Sequence, residues 1–388
     1  MVSFKALFAT CMMALAVSTS LAAVAPDTPY FNERGVLQIG ANEPMNVVVN
    51  AGVPHEQQIS YAHASYIAVH FSDFSLDNGV VIVRSPDSSV GYVYTGRGRN
   101  NAGDFISSLI PGETAVVEYF PTASGSQSNQ AFRISGFSRG FPNAQSESIC
   151  GVDDSVPAKC YTNGTTAATA LPLAYERSQS VARLYMRGVG LCTGWLVGSE
   201  GHLLTNQHCV EDASIAGAID VEFGAESASC AEECQVRLGC GGKIVATTTS
   251  FITNDEAFDY ALLKLPAGTD VSQYKYLQLR ASGASVGEQI YIPQHPRGWA
   301  KRIAGVVDGG APAVVEKMGQ VSSCGNNEVL YSADTQGGSS GSPVLAASDN
   351  AVVALHHCGG CANTAVDIRD VIADWAKKNI SVQDAIAA

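Results

Sequence analysis

Apolar and polar residues alternate in short stretches along most of the 388-residue chain, which is typical of half-buried β-strands. In the first third, polar turns separate five such stretches: YIAVHFSDF, GVVIVRS, VGYVYTG, TAVVEYF and QAFRISGF. Asn78-Gly79 lies between the first two and predicts a two-residue hairpin turn. Five strands joined by polar turns predict a β-sandwich domain over residues 24–145.

Short apolar stretches recur more densely after residue 147 and predict a second all-β domain. They are SVARLYM, CTGWLVG, HLLTN, AIDVEF, YALLKL, QIYIP, KRIAGVV, SPVLAA and AVVALHH. Such a series is typical of one β-barrel or a pair of barrels. The pattern changes at Ile368–Asn379, where apolar residues at helical spacing and basic residues in the last turn predict a closing helix.

A polar segment at Ser138–Ser148 separates the two series of strands. Its sequence, SRGFPNAQSES, contains Gly, Pro, Asn and Ser without apolar periodicity, which indicates a linker. We therefore expect two domains, at residues 24–145 and 147–388, and the length of the chain agrees with that number.

Residues 1–22 have the three parts of a signal peptide. Lys5 supplies a positive charge, an apolar run extends from Ala6 to Val17, and the small residues of STSLAA follow. The run is too short to span a bilayer, and no later stretch reaches the roughly 20 apolar residues that a spanning helix needs. We therefore expect a secreted protein without a membrane span.

Charge and cysteine content narrow the possible partners. The chain has 36 acidic and 23 basic residues, a formal net charge of -13 and no Lys/Arg-rich run, which argues against nucleic acid. Removal of the signal peptide also removes Cys11 and leaves ten cysteines, all after residue 149. In an exported chain this even number favours up to five disulfides over zinc ligation by CAEEC with Cys240 or by HHCGGC, so we expect no metal. We also expect no cofactor.

Three motifs supply the residue types of nucleophilic catalysis. His208 ends a strand in LLTNQHCV, Asp259 directly precedes YALLKL, and Ser340 lies in GGSSGSP. A serine hydroxyl is a weak nucleophile unless a base removes its proton, and that base needs an orienting carboxylate. The order His, Asp, Ser is one that such triads use. A structural histidine, a turn aspartate or a flexible glycine loop would explain each motif singly, but not all three in this order.

These motifs resemble those of the chymotrypsin-like serine proteases over about residues 150–380. The resemblance implies an all-β fold with two six-stranded antiparallel β-barrels and a C-terminal helix, here preceded by the β-sandwich. It also implies a disulfide between Cys192 and Cys209. The segments CGVDDSVPAKCY, HPRGWAKRI and VVALHHCGG are most similar to the secreted bacterial lysyl- and glutamyl-endopeptidases.

The roles known in that family imply an acyl-enzyme mechanism for this chain. Ser340 would attack the peptide carbonyl, His208 would transfer the proton, and Asp259 would fix the histidine tautomer. The backbone N–H groups of Gly338 and Ser340 would form the oxyanion hole, while the neighbouring serines shape the loop. We therefore expect a monomeric serine endopeptidase whose partners are protein or peptide substrates.

Two residues are candidates for the substrate pocket. Asp334 lies where trypsin-like members hold the carboxylate that binds Lys or Arg. His356 lies where glutamate-cutting members hold a histidine that receives the substrate carboxylate, although lysine-cutting members have a histidine there too. The late aspartate of the lysine-cutting members has no clear counterpart near Cys361. On the strength of Asp334 we expect cleavage after Lys or Arg, with glutamate specificity as the alternative.

Activation is expected to differ from that of trypsin. Ser339 replaces the aspartate that binds the new N-terminal amine in trypsin, so the N-terminal domain is the candidate for keeping a zymogen latent, as a propeptide or folding aid. A protease with basic specificity could cut its own linker after Arg139. Two other interpretations stay open: a secreted binding protein on a protease scaffold that does not cleave, and an N-terminal domain that remains as a permanent adhesion module.

Overall fold

The computed structural model describes residues 28–122, 130–142, 149, 151–162, 164–322 and 324–387. The expected signal peptide, residues 1–22, lies outside the described residues, as do positions 143–148 of the expected linker. Strands predominate over helices in the described part of the chain.

The described residues up to position 140 contain eleven strands. In chain order these strands, β1 to β11, are Tyr30–Phe31, Leu37–Gln38, Gly40–Asn50, His55–Ser60, Tyr66–Ser72, Val80–Arg84, Gly91–Tyr94, Phe105–Ile106, Ile110–Pro111, Thr114–Phe120 and Gln130–Gly140.

From position 151 onward the described residues contain strands β12 to β28 and helices α1 to α4. The strands are Val156–Pro157, Val181–Met186, Gly190–Val197, His202–Thr205, Ile219–Phe223, Lys243–Ala246, Ser250–Asp255, Tyr260–Lys264, Ile290–Gln294, Arg302–Ala304, Val306–Val307, Ala311–Pro312, Lys317–Gln320, Glu328–Tyr331, Pro343–Ala346, Val352–Cys358 and Asn363–Asp367. The helices are Thr166–Ala170, Ala174–Ser178, Ala213–Ala216 and Ile368–Lys377.

Two antiparallel sheets make up most of the N-terminal part. One has the strand order β4-β10-β6-β7, and the other has the order β3-β11-β5-β8 with β9 also paired to β5. Phe71 and Phe132 of one sheet and Val81 of the other belong to one buried cluster. The predicted hairpin at Asn78-Gly79 is wrong, because residues 73–79 cross between the sheets and β6 pairs with β7 and β10 instead of β5.

Two larger antiparallel sheets make up the C-terminal part. The first has the central order β17-β16-β13-β14-β15-β19-β18, and the second has the order β12-β21-β20-β26-β27-β28-β25-β24. Trp195 and Tyr260 of the first sheet share a buried cluster with Tyr291 and Leu355 of the second. Helix α4, at the predicted position, adds Trp375 to that cluster. In the residues that the structure describes, no helix combines the length and apolar character that crossing a membrane requires.

The first two strands belong to the sheet of the C-terminal part. We call Tyr30–Gln38 the N-terminal hairpin: β1 pairs with β2, and β2 pairs with β14. Leu37 lies opposite Leu191 in that ladder, and the Ile39 N–H donates to the Val189 carbonyl at 2.8 Å. Residues expected in the N-terminal domain therefore extend the sheet that leads to His208.

The expected linker begins too early, because β11 continues to Gly140. Ser138–Gly140 pair with β3, and Ser138 and Arg139 also pair with β5. Arg139 is 2% exposed, and its guanidinium donates to the Glu43 carboxylate at 2.7 Å. A peptide bond between two paired neighbours is closed to a protease, so the expected self-cleavage after Arg139 is contradicted by the fold.

Candidate active site

The pairing of β15 with β19 brings His208 and Asp259 together. Thr205 lies opposite Ala261 in that ladder, so the residues after β15 and before β19 are at the same end of the sheet. His208 Nδ1 lies 2.8 Å from Asp259 Oδ2, and the His208 backbone N–H donates to Oδ1 at 2.9 Å. Asn206 Nδ2 donates to the Asp259 carbonyl at 2.9 Å. The carboxylate is therefore fixed through both of its oxygens.

Asp259 is ionised in these surroundings. Burial would raise its pKa, but the charges and hydrogen bonds of His208 and His357 outweigh burial and hold the pKa of Asp259 well below its usual range. An ionised carboxylate can only accept, so His208 Nδ1 carries the hydrogen and donates it to Asp259. Nε2 is buried and has no hydrogen-bond partner in the described part of the chain. Such a nitrogen can act as a general base.

Ser340 lies in a glycine-rich loop that is docked on β14 and β15. Its carbonyl accepts from the Thr193 N–H at 2.8 Å. A Cβ at Gly341, which has φ +89°, would lie 2.1 Å from Thr193 O and 2.4 Å from Thr205 Oγ1, so this close approach requires glycine. Because Thr205 is three residues before His208, these contacts set Ser340 at the same end of the sheet as the imidazole.

The Ser340 hydroxyl and His208 Nε2 are not hydrogen-bonded, since Nε2 has no partner among the described residues. The structure thus joins His208 to Asp259 directly and sets Ser340 at the same end of the sheet, without a hydrogen bond between Ser340 and His208 Nε2. Catalytic hydrogen bonds are often long in enzymes without substrate and shorten in the substrate complex.

The loop before Ser340 leaves two backbone donors free. In the described ranges the N–H groups of Gly338 and Ser340 donate to no acceptor, whereas the Ser339 N–H donates to the Gln336 carbonyl at 2.9 Å. Gly338 has φ +94°, and a Cβ there would lie 3.1 Å from the His295 carbonyl oxygen. An oxyanion hole requires free N–H groups of this kind, and these two are separated by one residue in the same loop.

The C-terminal part contains several disulfides. The described pairs are Cys160–Cys230, Cys192–Cys209, Cys234–Cys240 and Cys324–Cys358, and Cys361 is disulfide-bonded as well. The Cys192–Cys209 bond ties β14 to the residue after His208. Both cysteines of CAEEC are in disulfides, Cys230 with Cys160 and Cys234 with Cys240, so neither sulfur is a thiolate that could bind zinc.

Asp334 lines a pocket of about 330 Å³ whose wall includes Glu316, Gly360 and Asn363. Asp334 is 5% exposed, and its Oδ2 accepts from the Asp154 N–H at 2.8 Å. Burial, together with neighbouring carboxylates, raises the pKa of Asp334 to about 6. The charged groups that act on Asp334 among the residues that the structure describes are the carboxylates Asp153, Asp154 and Asp308, and none of its described contacts is an ion pair. A larger cavity of about 1130 Å³ elsewhere is lined by none of the candidate site residues.

The two adjacent histidines of β27 have different surroundings. His356 is absent from the described lining of the Asp334 pocket, and its Nδ1 lies 2.6 Å from the Tyr331 hydroxyl. Burial lowers the pKa of His356 to about 3, so this imidazole is neutral. His357 instead lies with its Nδ1 3.1 Å from Asp259 Oδ2. Sequence reasoning missed His357, although adjacent strand residues face opposite sides and the pair HH was a signal that one would face the site.

The N-terminal hairpin reaches the edge of the site. Phe31 lies over Gly337, where an added Cβ would be 2.5 Å from the Phe31 Cζ atom. At the tip of the hairpin, Arg34 forms an ion pair with Glu211, three residues after His208. The hairpin, which lies early in the chain, thus contacts both the residues after His208 and the loop before Ser340.

Comparison with known proteins identifies a domain and a family. Residues 192–355 match the sequence profile of the trypsin-like peptidase domain. Secreted RxLR effector protein 73 of Plasmopara viticola is 41% identical over 338 residues, which cover 83% of this chain and 82% of that protein. An uncharacterized protein of Sinorhizobium fredii is 32% identical over 186 residues, which cover 43% of this chain and 25% of that protein.

Among solved structures, the active form of the Rv3671c protease from M. tuberculosis covers 63% of this chain and 98% of that chain. Its TM-score is 0.40 at 16% sequence identity. The extent and identity of the Plasmopara match decide the family. The chain belongs to the same family as secreted RxLR effector protein 73 and contains a trypsin-like peptidase domain.

Proposed function

We propose that this protein is a secreted serine endopeptidase that cleaves peptide bonds through an acyl-enzyme. One observation carries the proposal: Asp259 orients His208 with Nε2 unpartnered, at the end of the sheet where the Ser340 loop docks. Secretion is supported by the word "secreted" in the name of the Plasmopara relative and by the disulfides, which fit an oxidising compartment. We interpret the N-terminal pair of sheets as a β-sandwich and the C-terminal pair as two β-barrels.

The residues of the site supply each step of that reaction. Ser340 Oγ attacks the carbonyl carbon while His208 Nε2 takes the hydroxyl proton, and the carbonyl oxygen becomes an oxyanion that accepts from the Gly338 and Ser340 N–H groups. His208 then gives the proton to the departing amine as the C–N bond breaks. Water repeats the attack on the acyl group with His208 as base, and Ser340 regains its proton. Asp259 stays ionised throughout and steadies the imidazolium.

We propose that the enzyme cleaves after Lys or Arg. Asp334 is buried in a pocket without an ion-pair partner among described residues, and a substrate cation would supply one. A charge that stays unpaired in such a pocket is costly, so a cationic side chain is favoured over a neutral or acidic one. Glutamate specificity is less well supported, because His356 is neutral and bonded to Tyr331 instead of facing that pocket.

We also propose that the N-terminal part keeps the enzyme latent. The hairpin contacts of Phe31 with Gly337 support this, because Gly337 directly precedes the oxyanion-hole residue Gly338. The two parts are further joined by an ion pair of 2.7 Å between Arg99 and Asp220. No Lys or Arg occurs between positions 140 and 158, so processing at this junction is expected to depend on another protease.

Covalent labelling tests the proposed reaction. The full-length protein without its signal peptide is treated with a small fluorophosphonate, and mass spectrometry locates the label. We expect a single label on Ser340, none in the Ser340→Ala variant, and strongly slowed labelling in His208→Ala, which keeps the hydroxyl but loses the base. A correctly folded protein that takes no label would refute the proposal and favour a binding protein on a protease scaffold.

A peptide library then tests the pocket. We expect products that end in Lys or Arg, and loss of that preference in Asp334→Asn, which keeps the volume of the side chain but removes its charge. Products that end in glutamate would refute basic specificity while leaving the serine protease mechanism intact.

A further inference from the structure

A second imidazole bonds the same oxygen of Asp259 that accepts from His208. His357 Nδ1 lies 3.1 Å from Asp259 Oδ2, and His208 Nδ1 lies 2.8 Å from it. The other nitrogen of His357, Nε2, lies 2.7 Å from Glu328 Oε1. The side chains of His357 and Glu328 are 4% and 1% exposed, so the contact between these two residues is shielded from water.

The geometry fixes the charge of His357. Both of its nitrogens face carboxylate oxygens, and ionised carboxylates only accept, so both nitrogens must carry hydrogen. Burial would lower the pKa of His357, but its bonds to Asp259 and Glu328 outweigh burial and raise the pKa to about 9. Burial would raise the pKa of Glu328, and the bond to His357 reverses that effect and lowers it. The adjacent His356 is neutral, so it does not compete for this charge.

We propose that His357, held as an imidazolium by Glu328, is a positioning residue that fixes Asp259 against His208. The proposal rests on the proposed serine protease function. With two donors on Oδ2 and the His208 N–H on Oδ1, the Asp259 carboxylate cannot rotate away when His208 gains its proton. Glu328 supplies the negative charge that keeps His357 doubly protonated at neutral pH. The pair therefore acts on catalysis through Asp259 and without touching substrate.

A purely structural role is the competing explanation. Glu328 lies on β25 and His357 on β27, and β28 runs between these strands, so their bond also ties three strands together. A structural bond would change the stability of every variant but not the pH at which the enzyme loses activity.

Glu328→Gln distinguishes these roles, because it keeps the shape of the side chain and leaves Asp259 and His208 untouched. The test is the dependence of kcat/KM on pH for the wild type, Glu328→Gln and His357→Gln. The control is Glu288→Gln, which neutralises a carboxylate that is paired with Arg280 outside the site. In Glu328→Gln we expect the loss of activity at high pH to move toward neutral by about one to two pH units, because one of the two carboxylates that hold the proton is gone. His357→Gln, which cannot titrate, should lack this step, and Glu288→Gln should keep the wild-type profile.

The charge of His357 is measured without turnover. In the Ser340→Ala background, ¹⁵N NMR of the imidazoles should show His357 doubly protonated up to about pH 9, and to a lower pH after Glu328→Gln. An unchanged pH profile, although NMR shows that the charge of His357 has moved, would overturn this proposal and leave the protease intact. Failure of the wild type to take the fluorophosphonate would overturn the proposed function, and this inference with it.

Discussion

If the N-terminal hairpin restrains the site, truncation of the Phe31 side chain should increase proteolytic activity. The Phe31 side chain lies against Gly337, which precedes the proposed oxyanion-hole residue Gly338, yet Phe31 is 53% exposed. About half of a phenylalanine side chain, on the order of 100 Å², is thus buried there. At about 25 cal/mol per Å² this contact contributes about 2 kcal/mol. The exposed Arg34–Glu211 ion pair contributes at most about 1 kcal/mol, so Phe31 is the stronger anchor.

A loss of about 2 kcal/mol favours the displaced hairpin by about 30-fold. We therefore expect Phe31→Ala to raise kcat/KM for a long peptide or protein substrate by up to about that factor, since such a substrate must displace the hairpin. Labelling of Ser340 by a small fluorophosphonate should change much less. Phe120→Ala is the matched control, because Phe120 is 49% exposed at the end of β10 and belongs to the N-terminal sheets.

The result for long substrates decides the role of the hairpin. An unchanged kcat/KM in Phe31→Ala, with the hairpin still part of a folded protein, would refute the restraint. A decrease would refute it too and would indicate that Phe31 is part of the wall that binds substrate.

Three further results are expected. Folding raises the pKa of His357 from about 6.5 to about 9, so the protonated side chain should stabilise the Ser340→Ala variant fully below about pH 6.5. As pH rises through 9, the free energy of unfolding should fall by up to about 3 kcal/mol. Chemical denaturation at several pH values measures this, and a free energy of unfolding that does not depend on pH would contradict it. Because burial raises the pKa of Asp334 to about 6, the carboxyl gains its negative charge as pH increases through 6, and the affinity for an inhibitor with a Lys or Arg side chain should rise over the same range. Inhibitor titrations at several pH values measure this, and Asp334→Asn should abolish the rise. Replacing Cys192 and Cys209 with serine should lower the free energy of unfolding by about 3 kcal/mol, because the disulfide closes a loop of 17 residues and restricts the unfolded chain. An unchanged denaturation midpoint would contradict this.

The longer strands could be predicted from the sequence, because their burial requires a regular pattern of apolar residues. The shortest strands could not. β5, β6, β10 and β27 coincide with stretches in which apolar residues alternate or run together. β1 and β2 contain two residues each, too few to carry any period. The turn between them has a local signal, because Asn32 Oδ1 accepts from the Arg34 and Val36 N–H groups. Its docking on β14 has none, since a hairpin sequence does not specify a partner strand far along the chain.

The same distinction holds at the candidate site. His208, Asp259 and Ser340 could be proposed because each lies in a short local motif. Glu328 opens the ordinary strand sequence EVLY, and nothing in those letters indicates burial beside a histidine. Its burial arises because β28 pairs with both β25 and β27, which is a property of the sheet and not of any single strand. The surroundings of His357 likewise depend on two partners, Asp259 and Glu328, that lie far from it along the chain.

The contacts between the two parts bear on whether the N-terminal domain is a removable propeptide. Arg99 pairs with Asp220, which is 6% exposed, and loss of one partner from a buried ion pair costs about 3–5 kcal/mol. The Tyr66 hydroxyl donates to the Gly188 carbonyl at 3.0 Å, and β2 is paired with β14 through the backbone. A cut in the linker after β11 breaks one covalent connection and none of these contacts. Because the hairpin would keep its place on the sheet after such a cut, opening the site requires displacement of the N-terminal part as a second step, distinct from proteolysis.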